Sequence, residues 1–385
     1  MNKKVRLIAF YLPQYHEIPE NNLWFGKGFT EWTNVKKAKK LFRDHYQPHI
    51  PTDLGYYNLH NPEIRKLQTK IAREHGIEGF CYWHYWFAGK RLLEKPFQDV
   101  IESNEPDFPF CLGWANDSWT GIWHGAPGRI LIEQTYPGEE DEYNHFYSVL
   151  PAFRDKRYLT VNGKPIFYIY KPKLLKNAKK FITHWNKLAR KEGLNGIYFI
   201  ANIDDQEPLF EESVGFSAVT PHNPGWTLYH CLNLTKTLSY NVNRLLLKLM
   251  QKSLKDYFRP VCKPYIFDYE EYIKYALPII KTSLDVYPCV VPNWDNTPRC
   301  GINGVVLKNS TPFLFGTHLE DAIKCVNSHE EEKGIIFLKS WNEWAEGNYL
   351  EPDNNFWYEY LQVCREKINN TAYAREKEIT DSSLA

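Results

Sequence analysis

Gly334-Ile335-Ile336-Phe337-Leu338-Lys339-Ser340-Trp341-Asn342-Glu343-Trp344-Ala345-Glu346-Gly347 is the stretch around which the chain is organised. Its first six residues read as a buried strand, so the two carboxylates that follow sit where a strand ends. Glu343 and Glu346 are three residues apart; if the chain turns helically after the strand they share one face, roughly 5–6 Å apart at Cβ. In an apolar site like charges push the two pKa values apart, so that one carboxyl stays ionised while the other holds a proton. Trp341 and Trp344 supply apolar walls that suit the C–H faces of a sugar ring. The plainer reading is an ordinary helix start, with Asn342 as N-cap and glutamates in the first turn.

Outward from this stretch, short apolar runs alternate with helical patterns, as a parallel sheet with crossover helices requires. The candidate strands are Val5 to Leu12, Gly76 to Trp86, Pro109 to Ala115, Lys164 to Tyr170, Ile197 to Asn202, Gly215 to Pro221, Val286 to Pro292 and Gly334 to Ser340. Amphipathic segments fall between them: Pro62 to His75, Glu139 to Phe153, Leu174 to Glu192, Asp268 to Thr282 and Leu319 to Glu332. Such units in one chain of 385 residues favour a single-domain (β/α)8 TIM barrel over a doubly wound sheet. The expected organisation is a catalytic barrel over residues 1–369, a lid-like insertion at 227–267 after strand 6, and a polar tail at 370–385 that frays. The Leu- and Lys-rich part of the insertion, Val242 to Tyr257, has membrane-surface contact as its alternative role.

A barrel enzyme builds its site from the loops after its strands, and those loops carry aromatics beside polar groups. Strand 1 includes Tyr11 and runs into Tyr15 and His16, and its loop holds Glu31 and Trp32. Strand 2 ends in Tyr82, Trp83, His84, Tyr85 and Trp86; strand 3 ends in Trp114, Asn116, Asp117 and Trp119. Strand 5 ends at Asn202, strand 6 at His222, and strand 7 at Trp294, Asp295 and Arg299.

Composition narrows the partner. With 47 basic against 46 acidic residues, nothing in the charge balance calls for nucleic acid or an anionic membrane. Aromatics reach 16%, including 13 Trp and 26 Tyr, and together with Asn, Asp and His at strand ends they suit a carbohydrate. The eight cysteines show no C-x-x-C pair and no zinc spacing, so they read as reduced core thiols, and no metal or other cofactor is expected. The start of the chain lacks the pattern of a signal peptide and no apolar run reaches 18 residues, so a cytoplasmic location is expected, without an integral membrane segment. Oligomeric state leaves no trace in the sequence.

The run from Trp341 to Gly347 resembles the Asn-Glu-Trp-x-Glu-Gly signature of glycoside hydrolase family 99, the endo-α-1,2-mannosidases and endomannanases. The segments Ala9 to His16, Phe29 to Trp32 and Trp114 to Asp117 resemble more closely the related WbsX family, found with lipopolysaccharide and capsule loci and commonly labelled glycosyltransferase. The resemblance covers roughly residues 5 to 365. It implies a (β/α)8 barrel, Glu346 as general acid/base, and Glu343 as the base that helps a 2-hydroxyl form a 1,2-anhydro sugar with net retention. Ala345 stands where family 99 often has His, a departure that leaves the glutamate pair intact and bears on mannose specificity.

Other residues carry two readings each. Asp117 and Asp295 are hydroxyl binders or alternative catalytic carboxylates. Arg299 holds an acidic sugar or phosphate through its planar fork, or pairs with Asp295 or another rim carboxylate. His16 and His84 are hydrogen-bonded rim residues or catalysts, and Tyr82, Trp83, Trp86 and Trp119 are sugar platforms or core.

Three functions compete: a retaining endo-acting glycoside hydrolase of an α-linked bacterial polysaccharide or oligosaccharide, a glycosyltransferase of O-antigen or capsule assembly, and a barrel that only binds glycans. Glu343 and Glu351 match the E-x7-E spacing of some retaining transferases, but no Asp-x-Asp motif or glycine-rich phosphate loop accompanies it. Two like charges side by side speak against a pure binding module.

Overall fold

The computed structural model describes residues 5–121, 126–204, 207–231, 263–327 and 329–370, together with positions 242 and 245. Eight parallel strands form its centre: β1 (Arg6–Tyr11), β2 (Ile77–Phe87), β3 (Phe110–Trp114), β4 (Lys164–Ile169), β5 (Tyr198–Ile203), β6 (Ala218–Pro221), β7 (Asp285–Val286 and Cys289–Val290) and β8 (Ile335–Leu338). From β1 to β6 each pairs with the next in sequence, and β8 returns to β1 in the register Arg6↔Ile335 to Ala9↔Leu338.

The two halves of β7 close the circuit. Asp285–Val286 pairs with Ala218 and Val219 of β6, whereas Cys289–Val290 pairs with Phe337 and Leu338 of β8. Pro288 has no N–H to donate, yet its carbonyl accepts from Phe337 at 2.9 Å, so the segment passes from one neighbour to the other at that point. The fold is the expected (β/α)8 barrel, with strand ends displaced by a few residues.

Both faces of the strands are buried, as the continuous apolar runs require. Outside, helices cover them; Ala178–Lys191 buries Phe181, Ile182, Trp185, Leu188 and Ala189 at helical spacing, and Trp185 packs 4.8 Å from Phe167 of β4. Inside, Phe10, Trp83, Tyr168 and Phe337 form an aromatic layer, with Phe10 stacked on Trp83 at 4.8 Å and on Phe337 at 5.1 Å. That layer plugs the barrel, so any site lies at the mouth above it.

Two helices differ from expectation. The segment predicted over Asp268 to Thr282 is helical only at Tyr269–Ile273, capped by Asp268, and Pro278 follows where a longer helix would need an N–H. The last crossover helix runs from Pro312 to Val326 rather than from Leu319 to Glu332, because Thr311 caps it and Pro312 takes its first turn. Of the insertion, the helix Gly225–Cys231 and the strand Tyr265–Asp268, paired with Val305–Lys308, are described; the segment Val242 to Tyr257 apart from two positions, and the tail beyond residue 370, lie outside the described residues. Among the described residues no helix is long and apolar enough to cross a membrane, and Cys81, Cys111, Cys289, Cys300, Cys325 and Cys364 are free thiols.

Candidate active site

Beyond β8 the chain makes a tight hairpin rather than an α-helix: Asn342–Glu343 pairs antiparallel with Asn348–Tyr349 around one 3-10 turn, Trp344–Glu346. Asn342 is therefore no N-cap. Its Oδ1 accepts from Leu12 N–H at 2.7 Å and its Nδ2 donates to Leu12 O at 3.1 Å, tying the hairpin to the end of β1. Gly347 closes the turn at φ 57°, and a Cβ there would lie 2.8 Å from the backbone nitrogen of Asp295. That same nitrogen donates to the Glu346 carbonyl at 2.6 Å.

Both glutamates reach the cleft over the aromatic layer, which holds about 850 Å³ of empty space counting its open mouth. Glu343 is buried; Trp83 Nε1 donates to its Oε1 at 3.0 Å and Asn348 Nδ2 to its Oε2 at 3.4 Å. Burial first, then the charge of Glu346, pushes the Glu343 carboxyl up to about 7, against the opposing charges of Lys339 and Arg299. Glu346 is the more open of the two. Its Oε1 accepts from Arg299 at 2.5 Å, while Arg299 Nε donates to Glu31 Oε1 at 2.6 Å. Burial works against the Arg299 charge, but Glu31, Glu346 and Glu343 outweigh it and raise its pKa. Arg299 thus pairs with rim carboxylates, though Asp295 is not one of them.

Of the residues singled out in the sequence, Glu31, Trp83, Tyr85, Trp119, Arg299, Glu343 and Glu346 line the cleft. The others do not, and the two-residue period of a strand explains many of them. Trp83 points inward, so Tyr82, His84 and Trp86 point out toward the helices. Tyr82 packs 5.1 Å from Phe97, His84 Nε2 meets His145 Nε2 at 2.8 Å, and Trp86 donates to Asp141 at 3.0 Å. Burial lowers the His84 pKa to about 3, so that pair is neutral packing. Tyr11 and Trp114 face outward likewise, Tyr11 donating to Gln68 at 2.8 Å and Trp114 lying 4.7 Å from His145.

The remaining residues brace loops. Tyr15 donates to the Asn342 carbonyl, Trp32 donates to the Tyr57 carbonyl at 2.8 Å, and His16 is buried against His60. Asn116 joins the loops after β3 and β4 through Lys171, at 2.7 and 2.9 Å. Asn202 donates to the Tyr170 carbonyl at 3.1 Å, and exposed Asp117 accepts from Ser118 N–H at 2.9 Å. Trp341 is fully buried against Phe80, while Trp344 stacks on Tyr349 at 3.8 Å and donates to Glu351 at 2.6 Å. Neither tryptophan walls the cleft as expected.

Trp294 lies beneath the Lys339 ammonium, 5.5 Å from its ring centre. Asp295 is enclosed, accepting from His45 and Gln47 at 2.7 Å and from Thr297 Oγ1 at 2.6 Å. Burial opposes its charge, but the His45 hydrogen bond and the nearby His49, with Thr297, hold its carboxyl below the usual range. Its role there is to position Glu346 and the turn carrying Arg299.

The cleft also holds Leu12, Ala115, Tyr170 and Lys339, which sequence reasoning passed over as site residues, with Phe25, Phe29 and Leu131 on its walls. Leu12, Tyr85, Tyr170 and Lys339 each lie two positions beyond a member of the aromatic layer, Phe10, Trp83, Tyr168 and Phe337. Period two, applied from those residues, is the signal that finds them.

The family model described as Glycosyltransferase WbsX matches residues 7–364. Two proteins of Xanthomonas campestris pv. campestris, described as "Uncharacterized protein WxcX", are 32% identical over 364 residues, 94% of this chain and 49% of theirs. The chain therefore spans about half the length of the curated relatives it matches. Among solved structures, a GH99 endo-alpha-mannosidase from Bacteroides thetaiotaomicron in complex with BIS-TRIS-propane gives a TM-score of 0.56 at 14% identity, over 96% of this chain and 98% of that one. A chain described as a glycoside hydrolase-like protein gives 0.55 at 14% identity, over 95% and 94%. At that identity the likeness is one of fold.

Proposed function

From its membership of the WbsX family, which makes this chain a carbohydrate-active enzyme, we propose a retaining, endo-acting glycoside hydrolase that cleaves an α-linked bacterial polysaccharide or oligosaccharide. The observation that carries the reading is the Glu343 and Glu346 pair on one hairpin at the floor of a cleft that joins carboxylates to an aromatic wall.

Two carboxyls on one turn address neighbouring groups of one sugar rather than flanking it. Glu343 takes the proton of the 2-hydroxyl while that oxygen attacks the anomeric carbon. Glu346 gives a proton to the departing glycosidic oxygen, the bond from that oxygen to the anomeric carbon breaks, and a 1,2-anhydro sugar forms. Water then opens the three-membered ring, losing a proton to Glu346 as Glu343 returns one to O2; two inversions leave the configuration retained. A carboxyl near 7 suits a base at neutral pH. Trp119, Tyr85 and Phe29 offer the apolar faces against which sugar rings rest.

The test is to incubate the protein with α-mannans, O-antigens and capsular polysaccharides and to look for released oligosaccharides by mass spectrometry. Release that vanishes in Glu346→Gln and in Glu343→Gln, each with glycan binding retained, supports the reading; release that persists in both variants ends it. Among the described residues Glu346 is met by a cation and Glu343 by none within ion-pair distance, an arrangement that also suits the reverse roles. A glycosyl fluoride, which needs no acid, separates the two, because activity on it survives loss of the proton donor and not loss of the base.

The family description favours a second reading, a glycosyltransferase of O-antigen or capsule assembly. Product that forms only once nucleotide sugars and an acceptor are added would establish it.

A further inference from the structure

We propose that Lys339 is a specificity residue that recognises an anionic group, a carboxylate or a phosphate, on the sugar bound beside Glu343. This rests on the glycan reading above and names the class of glycan. Lys339 stands two positions beyond Phe337 and continues the interior face of β8 into the cleft, which it lines together with Glu31, Arg299, Glu343 and Glu346. It is 9% exposed.

Burying an ammonium is unfavourable unless a counter-charge meets it. Among the described residues no carboxylate comes within ion-pair distance of Lys339; its Nζ lies 5.5 Å from the centre of the Trp294 ring. A ring face attracts a cation but does not neutralise it. Glu343 shares the cleft, yet it takes its hydrogen bonds from Trp83 and Asn348. The other cation, Arg299, is met by both Glu31 and Glu346. Among the described residues that line the cleft, Lys339 is therefore the positive charge left for whatever enters. A neutral sugar presents only hydroxyls to it, whereas a carboxylate or phosphate makes a charge-assisted bond in a largely dry site.

The probes are a glucuronic-acid-containing capsular polysaccharide, the same polymer after carboxyl reduction, a phosphodiester-containing capsular polysaccharide and its dephosphorylated form. Binding is measured by calorimetry to the full chain carrying Glu346→Gln, so that turnover does not enter. One charged polymer is expected to bind roughly tenfold or more tightly than its neutralised form. Adding Lys339→Met brings that ratio close to one, and Lys339→Arg keeps most of it. Which polymer shows the preference tells uronic acid from phosphate. Equal binding of charged and neutralised forms, or a ratio that Lys339→Met leaves in place, overturns the proposal. Failure of the glycan reading looks different: no polymer binds, neutral or charged, and both fall together.

Discussion

Trp83 and Glu343 meet across the mouth of the barrel, the indole Nε1–H from β2 donating to the Oε1 of the hairpin glutamate at 3.0 Å. The residue that floors the cleft is thereby also a hydrogen-bond donor to the buried carboxyl.

Trp83→Phe keeps the floor and removes the donor. Burial, then Glu346, already raises Glu343 to about 7, and the Trp83 bond favours the ionised form. A hydrogen bond to a charged group is worth about 1.5–3 kcal/mol, and one pKa unit about 1.36 kcal/mol. The limb of the pH profile of kcat/KM that reports Glu343 should therefore move up by roughly 1–2 units. A limb that stays in place would mean that Glu343 does not titrate in the rate.

Glu351 makes stability depend on pH. It lies behind the hairpin, accepting from Gln68 at 2.6 Å, Trp344 at 2.6 Å and Tyr57 at 3.0 Å, and burial pushes its carboxyl up from 4.5 to about 7. Its folded-state pKa is raised, so the contribution is complete below the unfolded value and is lost as pH rises through the folded one. From pH 5.5 to 8 the loss is on the order of 2 kcal/mol. Urea unfolding of Glu351→Gln at these two pH values should show a pH dependence reduced by about that amount, whatever the variant loses overall. An unaltered difference would show that Glu351 is ionised in the fold throughout.

Arg299 and its two carboxylates should behave as one unit. Arg299→Met leaves Glu31 and Glu346 without their cation and should destabilise by about 3–5 kcal/mol. With Glu31→Gln already in place, the same change should cost about 1–3 kcal/mol less. Strict additivity in chemical denaturation would show that the Glu31 pair contributes nothing.

Gly347→Ala tests the turn that holds Glu346. At φ 57° an alanine costs about 1–2 kcal/mol, and its Cβ would crowd the Asp295 backbone at 2.8 Å, moving Glu346 relative to Glu343. The expected result is a modest fall in thermal stability with a loss in kcat of roughly 100-fold, since misplacement of about 1 Å has that effect. Unchanged kcat would separate the hairpin geometry from the chemistry.

How far the site could be read from the sequence follows from the range of the interactions. Each of the eight barrel strands was legible, because burial on both faces leaves continuous apolar runs. The glutamate pair was legible because it sits in one local motif. Tyr82, His84 and Trp86 were read toward the cleft although Trp83 between them already settles their direction, since neighbours on a strand point to opposite faces. The E-x7-E spacing of Glu343 and Glu351 was legible too, but the fold turns one into the cleft and encloses the other.

By itself the sequence determined the barrel, the order of its strands and the place where two carboxylates emerge. These depend on local periodicity and on motifs a few residues long. Tertiary structure decided the rest: that Arg299 joins Glu31 and Glu346, residues 268 and 47 positions away from it, that Asp295 turns inward to His45, and that Lys339, hidden in an apolar run, comes to line the cleft. Partners so distant in sequence meet only when the strand circuit closes, and that closure sets which charges are matched and which charges line the cleft.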